Sequence, residues 1–382
     1  MNDTSTRTHP DNAEILSKCR RIVIKIGSAL LVDGDSGQVH RAWLKALSED
    51  VARCRARGQE VVLVSSGAIA AGRRQLGFPG KALRLEELQA AAATGMIRLA
   101  HAYEEALAGH DVTLAQVLLT LDDTENRRRY LNARNTLGTL LKMGAVPLIN
   151  ENDTVATDEI RVGDNDRLAA RVAAMISADA LILLSDVDGL YSSDPLSNPD
   201  AEWVSVVEEI TPEIDAMAGQ AVSSVGTGGM VTKLMAARIA MGAGCRMAIT
   251  QGRTDNPVRR LEEGARCTWF LPKSTPRAAR KEWIAGSLKP LGAVVIDAGA
   301  EGALGSGKSL LPAGVTAVEG DFGRGDPIVV CCADGRRVAQ GLTAYSSWDI
   351  ERIKGHKTSE IEGLLGYRGR DEVLHRDDMV LL

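Results

Sequence analysis

Aromatic residues are scarce in this chain: Phe, Trp and Tyr together make up 3% of its 382 residues. With 45% apolar residues, the cores must be built mainly from Ala, Val, Leu and Ile, as in many α/β enzymes. The six cysteines are scattered and include no Cys-x-x-Cys pair. This spacing argues against a metal or disulfide framework and fits reduced thiols in a cytoplasm, the localisation we predict.

Long apolar runs and an excess of positive charge are also missing. No run reaches the roughly eighteen apolar residues that a membrane span needs, so we expect no membrane partner. Residues 1–14 are polar and lack an apolar h-region, so we expect no signal peptide. The net charge of −5 gives no electrostatic reason to expect nucleic acid as a partner.

Apolar runs alternate with helical stretches through the first two thirds of the chain. Strands are predicted at residues 21–26, 60–68, 112–119, 145–149, 180–186, 204–207, 246–250 and 268–271, the second of them ending in small residues and Gly. Helices are predicted at residues 42–57, 85–107, 126–143 and 167–173. Strands separated by helices predict an α/β fold, a three-layer sandwich in which helices cover both faces of a mostly parallel central sheet.

The pattern changes near residue 289, after which short β runs at 293–296, 327–330 and 338–341 replace the alternation. A chain of this length also suggests two domains. We predict a disordered or loosely attached N-terminal extension at 1–19, a main domain at 20–275, a linker with a short helix at 276–289, and a small β-rich domain at 290–382.

Polar residues follow several predicted strands at the point where the chain leaves the sheet. Lys25 interrupts the first apolar run just before Gly27 and Ser28, and Asn-Glu-Asn-Asp at 150–153 follows the strand at 145–149. Ligands bind at the carboxyl ends of strands in open α/β sheets. The alternative for Lys25 is a lysine that extends from a strand end into solvent.

A glycine-rich stretch, Val-Gly-Thr-Gly-Gly-Met-Val-Thr-Lys at 225–233, precedes a predicted helix. Backbone N–H groups of such a turn can approach an anion, and the helix dipole favours negative charge at the same place. Lys233 would reach a phosphate oxygen from the first turns of that helix. The alternative is a flexible linker, and the order differs from that of a Walker P-loop.

A second polar cluster, Gly-Asp-Asn-Asp at 163–166, precedes the predicted helix at 167–173. One of its three side chains is expected to cap that helix. Capping requires neither all three nor the matching cluster at 150–153. Residues 154–162 between the two clusters are predicted to form a hairpin.

The tail contains a string, Gly-Ala-Leu-Gly-Ser-Gly-Lys-Ser at 302–309, that fits the P-loop pattern letter for letter. A P-loop needs a buried strand before it and a long helix after it. Residues 298–304 instead favour a short helix, and Pro312 with Gly314 prevents a helix afterwards. We predict a helix-to-strand turn here rather than a nucleotide site.

Six motifs resemble, in order, those of the amino acid kinase family, and closely those of its bacterial members that phosphorylate free glutamate. They lie at residues 23–28, 65–69, 149–153, 162–166, 188–195 and 226–233. The tail resembles the PUA domain that many of these members carry. Two departures are Ala29, where many members have Ser or Thr, and residues 1–19, which precede the usual start.

This resemblance implies transfer of a phosphoryl group from ATP to the γ-carboxylate of L-glutamate, the first committed step of proline synthesis. A carboxylate nucleophile is already ionised and needs no general base, and no His lies in the six motifs. Catalysis of phosphoryl transfer is mainly positioning and charge stabilisation. Mg²⁺ would enter on the ATP phosphates, since no dedicated metal site is apparent.

The resemblance also implies roles for individual residues. Lys25 and Lys233 would be catalytic, bracketing the transferring phosphoryl group, and Asp166 would hold both ammonium groups in place. The positions that match glutamate-binding residues are Ser66, Asp153 and Asn165, with Asp153 suited to the α-ammonium. The positions that match ATP-binding residues are Lys25, Gly27, Ser185, Asp186, Thr227, Gly228, Gly229, Met230, Val231, Thr232 and Lys233.

Partners implied by the resemblance are proline as a feedback inhibitor and copies of the chain in a dimer or tetramer. One alternative is an amino acid kinase for N-acetylglutamate or aspartate, although the 150–153 cluster and the PUA-like tail favour free glutamate. Another is an RNA-binding PUA protein. Residues 286–382 hold 11 Lys or Arg against 14 Asp or Glu, a net charge of −3, whereas RNA-binding domains usually present a basic face.

Overall fold

A computed structural model of the chain describes residues 10–78, 82–155, 164–219, 229–287 and 289–382. The chain divides into two compact units. The first comprises Met1–Glu125 and Asn132–Pro276, and the second comprises Asn126–Leu131 and Arg277–Leu382. No helix among the described residues is long and apolar enough to cross a membrane.

Helices and short strands alternate through the first unit. Its strands are β1 Arg21–Ile26, β2 Glu60–Ser65, β3 Leu114–Leu119, β4 Val146–Glu151, β5 Ala180–Ser185, β6 Leu190–Tyr191, β7 Trp203–Val204, β8 Val206–Val207, β9 Arg246–Gln251 and β10 Cys267–Phe270. The helices of this part of the chain are α1 Asn12–Ser17, α2 Ser28–Leu31, α3 Arg41–Ala56, α4 Ala68–Arg73, α5 Leu85–Ala108, α6 Leu121–Glu125, α7 Arg127–Lys142, α8 Asp164–Met175, α9 Pro212–Met217, α10 Met230–Gly242 and α11 Pro257–Glu262.

Eight of these strands form one sheet in the order β3-β4-β2-β1-β5-β9-β10-β8. All neighbours pair in parallel except β9 and β10, which are antiparallel. Strands β6 and β7 pair separately as a two-stranded sheet. The predicted α/β fold with a mostly parallel central sheet is confirmed.

The first strand shows why the sequence forms this sheet. Ile22, Ile24 and Ile26 lie on one face and join the main hydrophobic core, because alternate side chains of a strand point the same way. Val23 and Lys25 lie on the other face, where α8 packs against the strand. Burial on both faces explains the near-continuous apolar run at residues 22–26, and Lys25 is the one charged residue within those five.

Residues 10–19 belong to the packed structure, so the prediction of a loosely attached extension is wrong for this stretch. Helix α1 is capped by the side chain of Asp11, and Leu16 is fully buried in the main core. The Asn12 amide donates to the Leu261 carbonyl and accepts from the Trp269 indole. One short helix among polar residues carries too little periodicity for its burial to be recognised.

The second unit has its own sheet, in the order β12-β11-β13-β14-β15. Its strands are β11 Gly292–Ile296, β12 Val315–Glu319, β13 Pro327–Cys332, β14 Arg337–Leu342 and β15 Met379–Leu381. The remaining helices are α12 Pro276–Ser287, α13 Ala298–Gly305, α14 Ser347–Ile353 and α15 Ile361–Leu365. The predicted β-rich character is confirmed, while α14, α15 and the strands β12 and β15 were not predicted.

The P-loop-like string lies at the carboxyl end of α13. Backbone N–H groups of Ser306, Gly307 and Lys308 donate to carbonyls of the last turn of that helix, so they close its end. Gly307 adopts a φ of 75°, the left-handed conformation typical of a residue after a helix. Because these amides are already bonded, they cannot cradle a phosphate, and the predicted turn is confirmed.

Candidate active site

The carboxyl ends of β4, β2, β1 and β5 lie side by side in the sheet. Lys25 pairs in register with Val64 on β2 and Leu183 on β5, and Val64 pairs with Ile149 on β4. The polar residues that follow these strands therefore gather at one edge of the sheet. This is the edge at which parallel α/β sheets bind ligands.

Asp166 is the centre of this edge. Its side chain is 1% exposed, and its Oδ1 lies 2.5 Å from the Nζ of Lys25. Its Oδ2 accepts a hydrogen bond from Lys233 at 3.3 Å. Lys25 and Lys233 are 8% and 6% exposed. Groups from β1, α8 and α10 thus meet at one buried carboxylate.

The charge state of Asp166 follows from these contacts. Burial alone would raise its pKa, but the ammonium groups of Lys25 and Lys233 outweigh this and hold the pKa below its ordinary value. Thr232 adds a hydrogen bond from its hydroxyl to Oδ2 at 3.2 Å. Asp166 is therefore an anion at neutral pH and can keep two ammonium groups close to each other.

One of the three side chains at 164–166 was predicted to cap α8, and two of these candidates, Asn165 and Asp166, are not caps. The helix begins at Asp164, so Asn165 and Asp166 lie inside its first turn. Asp166 instead pairs with the lysines, while Asn165 Oδ1 is buried and has no hydrogen-bond partner among the described residues. A buried acceptor without a partner is costly, and a ligand donor would remove that cost.

Asp153 is a second buried carboxylate at this edge. It is 8% exposed, and burial raises its pKa to about 6. Among the described residues no cation pairs with it. A carboxylate buried in this way gains most from a positively charged partner.

Hydrogen bonds fix the turn that follows β2. Asn150 donates to the Ser65 carbonyl at 3.0 Å, and Ser66 N donates to the Ile26 carbonyl at 3.2 Å. Gly67 then adopts a φ of 93°, which a glycine tolerates more readily than other residues. The predicted residue Ser66 therefore sits on a turn that is tied to both neighbouring strands.

The structure describes most of the predicted ATP-binding positions. Ser185 is buried at the end of β5 and donates to Asp186 Oδ1 at 3.0 Å. Residues 229–232 open α10, whereas Thr227 and Gly228 lie outside the described residues, as does most of the predicted hairpin at 154–162. Gly27 has an ordinary φ of −69° just before α2, so its conformation does not require a glycine.

Some contacts at this edge were not predicted. Gln251 at the end of β9 bonds the Asp186 carbonyl, and Tyr103 on α5 donates to Ser65 Oγ at 3.3 Å. Both residues lie far from the motifs in the sequence, so no local pattern could have identified them. Among the described residues no group of three or more His, Cys, Asp or Glu side chains could hold a metal ion.

The chain matches the model of the amino acid kinase family over residues 20–251 and that of the PUA domain over residues 292–365. The first match covers more than half of the chain. The chain therefore belongs to the amino acid kinase family and carries a PUA domain after its kinase domain.

Curated relatives show which members of the family this chain is similar to. The glutamate 5-kinase of Paramagnetospirillum magneticum is 63% identical over 366 residues, which cover 96% of this chain and 99% of that protein. The glutamate 5-kinase of Dinoroseobacter shibae is 60% identical, with the same coverage of both chains. At this similarity the chain is a member of the same family as these glutamate 5-kinases.

Proposed function

We propose that this chain transfers the γ-phosphoryl group of ATP to the γ-carboxylate of L-glutamate and produces L-glutamyl 5-phosphate, the first step of proline biosynthesis. Similarity to glutamate 5-kinases over nearly the whole chain supports the substrate and the reaction. The observation that carries the mechanism is the buried Asp166, which pairs with both Lys25 and Lys233 at the ligand-binding edge of the sheet.

Two ammonium groups held in place suit phosphoryl transfer. The transferring group spreads negative charge over its oxygens, and positive groups that are already positioned stabilise that charge without reorganising. Lys25, at the end of β1, would face the attacking carboxylate. Lys233, in the first turn of α10, would face the leaving phosphate. Asp166 would touch neither substrate but would keep both ammonium groups at the correct separation.

Glutamate would bind beside this group. Asp153 would pair with the α-ammonium, because it is a buried carboxylate to which the described residues give no cation. Asn165 Oδ1, buried and without a described partner, would also accept from the substrate. Ser66 would complete this pocket from the turn after β2. These residues orient the γ-carboxylate, which is ionised at neutral pH and needs no base.

ATP would occupy the other side of the edge. Ser185 and Asp186 follow β5, and residues 227–233 together with Gly27 would direct N–H groups at the phosphates. Helix α10 has thirteen residues, so its dipole favours an anion at its start. Mg²⁺ bound to the phosphate oxygens would neutralise part of their charge. The described residues offer no separate carboxylate cage, which fits a metal ion that arrives with the nucleotide.

Three features of the wider function are also proposed on the resemblance. L-proline would inhibit by occupying the glutamate pocket, since it carries the same α-carboxylate and α-nitrogen. The enzyme would work in the cytoplasm as a dimer or tetramer. RNA is not proposed as a partner of the PUA domain, because residues 286–382 carry a net charge of −3.

The substrate is tested by a hydroxamate assay for acyl phosphates with the purified chain, ATP and Mg²⁺. L-Glutamate, L-aspartate and N-acetyl-L-glutamate are offered in parallel, and omission of ATP provides the blank. We expect product with glutamate at a kcat/KM at least about tenfold above that for either other acid, because a pocket built around paired polar groups discriminates strongly. A preference for aspartate or N-acetylglutamate would assign the chain to another amino acid kinase activity.

A further inference from the structure

The turn Ser185–Asp186 is held by the end of the neighbouring strand β9. The two strands pair in parallel as far as Ser185 and Gln251. The last backbone bond runs from Gly252 N to the Ser185 carbonyl at 2.7 Å. Beyond it, the Asp186 carbonyl accepts from the side-chain amide of Gln251 at 3.0 Å. A side chain therefore continues the attachment after the strand pairing ends.

The orientation of the Gln251 amide is set by its two bonds. Its Oε1 accepts from Arg253 N at 3.0 Å, which directs Nε2 towards the Asp186 carbonyl. A flipped amide would place an oxygen against that carbonyl and an N–H against an N–H, and both bonds would be lost. The side chain is thus a bridge with one fixed direction.

The backbone next to Gln251 is itself held in place. The indole of Trp43 donates to the Gly252 carbonyl at 2.7 Å, and this bond is buried. A Cβ at Gly252 would lie 2.5 Å from Leu30 Cδ1 and 2.9 Å from Leu184 Cβ, so only glycine fits between α2 and β5. Because the backbone at Gly252 is held in this way, the Gln251 side chain extends towards the turn from a fixed position.

We infer that Gln251 is a positioning residue for the nucleotide, holding the turn Ser185–Asp186 in the conformation that binds ATP. This rests on the proposed ATP site at Ser185 and Asp186. Gln251 touches the turn through a backbone carbonyl, so its effect reaches the nucleotide through the placement of the turn. Loss of the Gln251 amide should therefore weaken ATP binding and leave glutamate binding unchanged.

Gln251→Met tests this, because methionine keeps the length of the side chain and removes the amide. We expect KM for ATP, and the calorimetric Kd for a non-hydrolysable ATP analogue with Mg²⁺, to rise about three- to tenfold, as loss of the one hydrogen bond that reaches the turn implies. KM for glutamate should stay within about twofold of the original value. Gln251→Ala provides a second variant with the same expected split between the two substrates.

Gln59→Met is the matched control. Gln59 also donates from Nε2 to backbone carbonyls, those of Leu16 and Cys19, but it precedes β2 at the opposite edge of the sheet. We expect this control to lower Tm and leave both KM values unchanged. The inference is overturned if both Gln251 variants keep KM and Kd for the nucleotide within about twofold, or if both KM values rise together. Absence of phosphoryl transfer by the unmodified chain would instead reject the proposed function, while calorimetry would still test the role of Gln251.

Discussion

The carboxylate of Asp166, in the first turn of α8, lies 2.5 Å from the ammonium group of Lys25 near the end of β1. The same carboxylate accepts from Lys233 on α10. Removal of Asp166 would leave two buried ammonium groups without compensation, which is expensive in a water-excluded site, while removal of either lysine would leave Asp166 with a single partner. The three residues are therefore expected to act as a unit, and their substitutions should combine non-additively.

Substitutions in the proposed glutamate pocket should change KM for glutamate much more than KM for ATP. Asp153→Asn and Asn165→Ala should raise KM for glutamate roughly tenfold or more, since each removes a contact to the substrate that is buried or charged. KM for ATP should change far less and serves as the internal control. Asp166→Asn should act mainly on kcat. Steady-state kinetics with each substrate varied in turn provides the comparison. Equal rises in both KM values would show that the glutamate pocket has been assigned to the wrong residues.

The raised pKa of Asp153 predicts a pH dependence of glutamate binding. The group titrates at about 6 because it is buried, and only its ionised form pairs with an ammonium group. KM for glutamate should therefore rise as the pH falls below about 6, and this rise should be smaller in Asp153→Asn. Identical pH profiles of KM in the two proteins would contradict the assignment.

The raised pKa of Asp153 also predicts how the stability of the substrate-free protein changes with pH. A carboxyl whose pKa is higher in the folded state stabilises the fold when protonated. This contribution is complete below the unfolded value of about 3.9 and is lost as the pH rises through about 6. The Tm of Asp153→Asn relative to the unmodified chain should therefore increase between pH 4 and pH 7. Thermal unfolding in the absence of substrates measures this difference.

Proline should compete with glutamate if it shares the glutamate pocket. Free L-proline at millimolar concentration should raise KM for glutamate and leave kcat unchanged, which is the pattern of competitive inhibition. D-Proline is a matched control of the same charge and size. Kinetics without any effect of L-proline would reject the regulatory proposal and leave the kinase proposal intact.

The P-loop-like string in the second unit should have no part in nucleotide binding. Lys308→Ala should leave KM for ATP unchanged within about twofold, because the backbone amides of the string already close the end of α13. Calorimetry with an ATP analogue checks the same point without catalysis. Loss of nucleotide binding by a folded Lys308→Ala protein would show a nucleotide site in the tail.

The sheet of the first unit could be predicted from the sequence because each buried strand is a short apolar run that ends in glycine or a polar residue. Strand β5 is the clearest case, since all six of its residues are buried. The antiparallel pairing of β10 with β9 could not be predicted in this way, because strand direction depends on how the chain returns to the sheet. The burial of Asn12 and Leu16 was missed because it depends on the distant residues Leu261 and Trp269.

The candidate site was predictable as a set of residues but not as a geometry. Lys25 and Lys233 stand out locally, one inside an apolar run and the other after a glycine-rich stretch. Nothing local indicates that both reach Asp166, because the local pattern makes Asp166 a helix-cap candidate and only the family resemblance implies that it holds both ammonium groups. Gln251 carries no signal of its own, because the Asp186 carbonyl is brought to it only by the pairing of β5 with β9. Thr232 was predicted as an ATP-binding position, but its bond to Asp166 was not, since that bond depends on the packing of α8 on α10.

The most direct measurement is kcat for Lys25→Ala and Lys233→Ala, with Lys45→Ala on the exposed face of α3 as the control. If the two buried lysines stabilise the transferring phosphoryl group, each substitution should lower kcat by about a hundredfold or more, the loss of roughly 3 kcal/mol of transition-state stabilisation. Circular dichroism should show an unchanged fold, and Lys45→Ala should keep its full turnover. Near-normal kcat in a folded Lys233→Ala protein would contradict the mechanism.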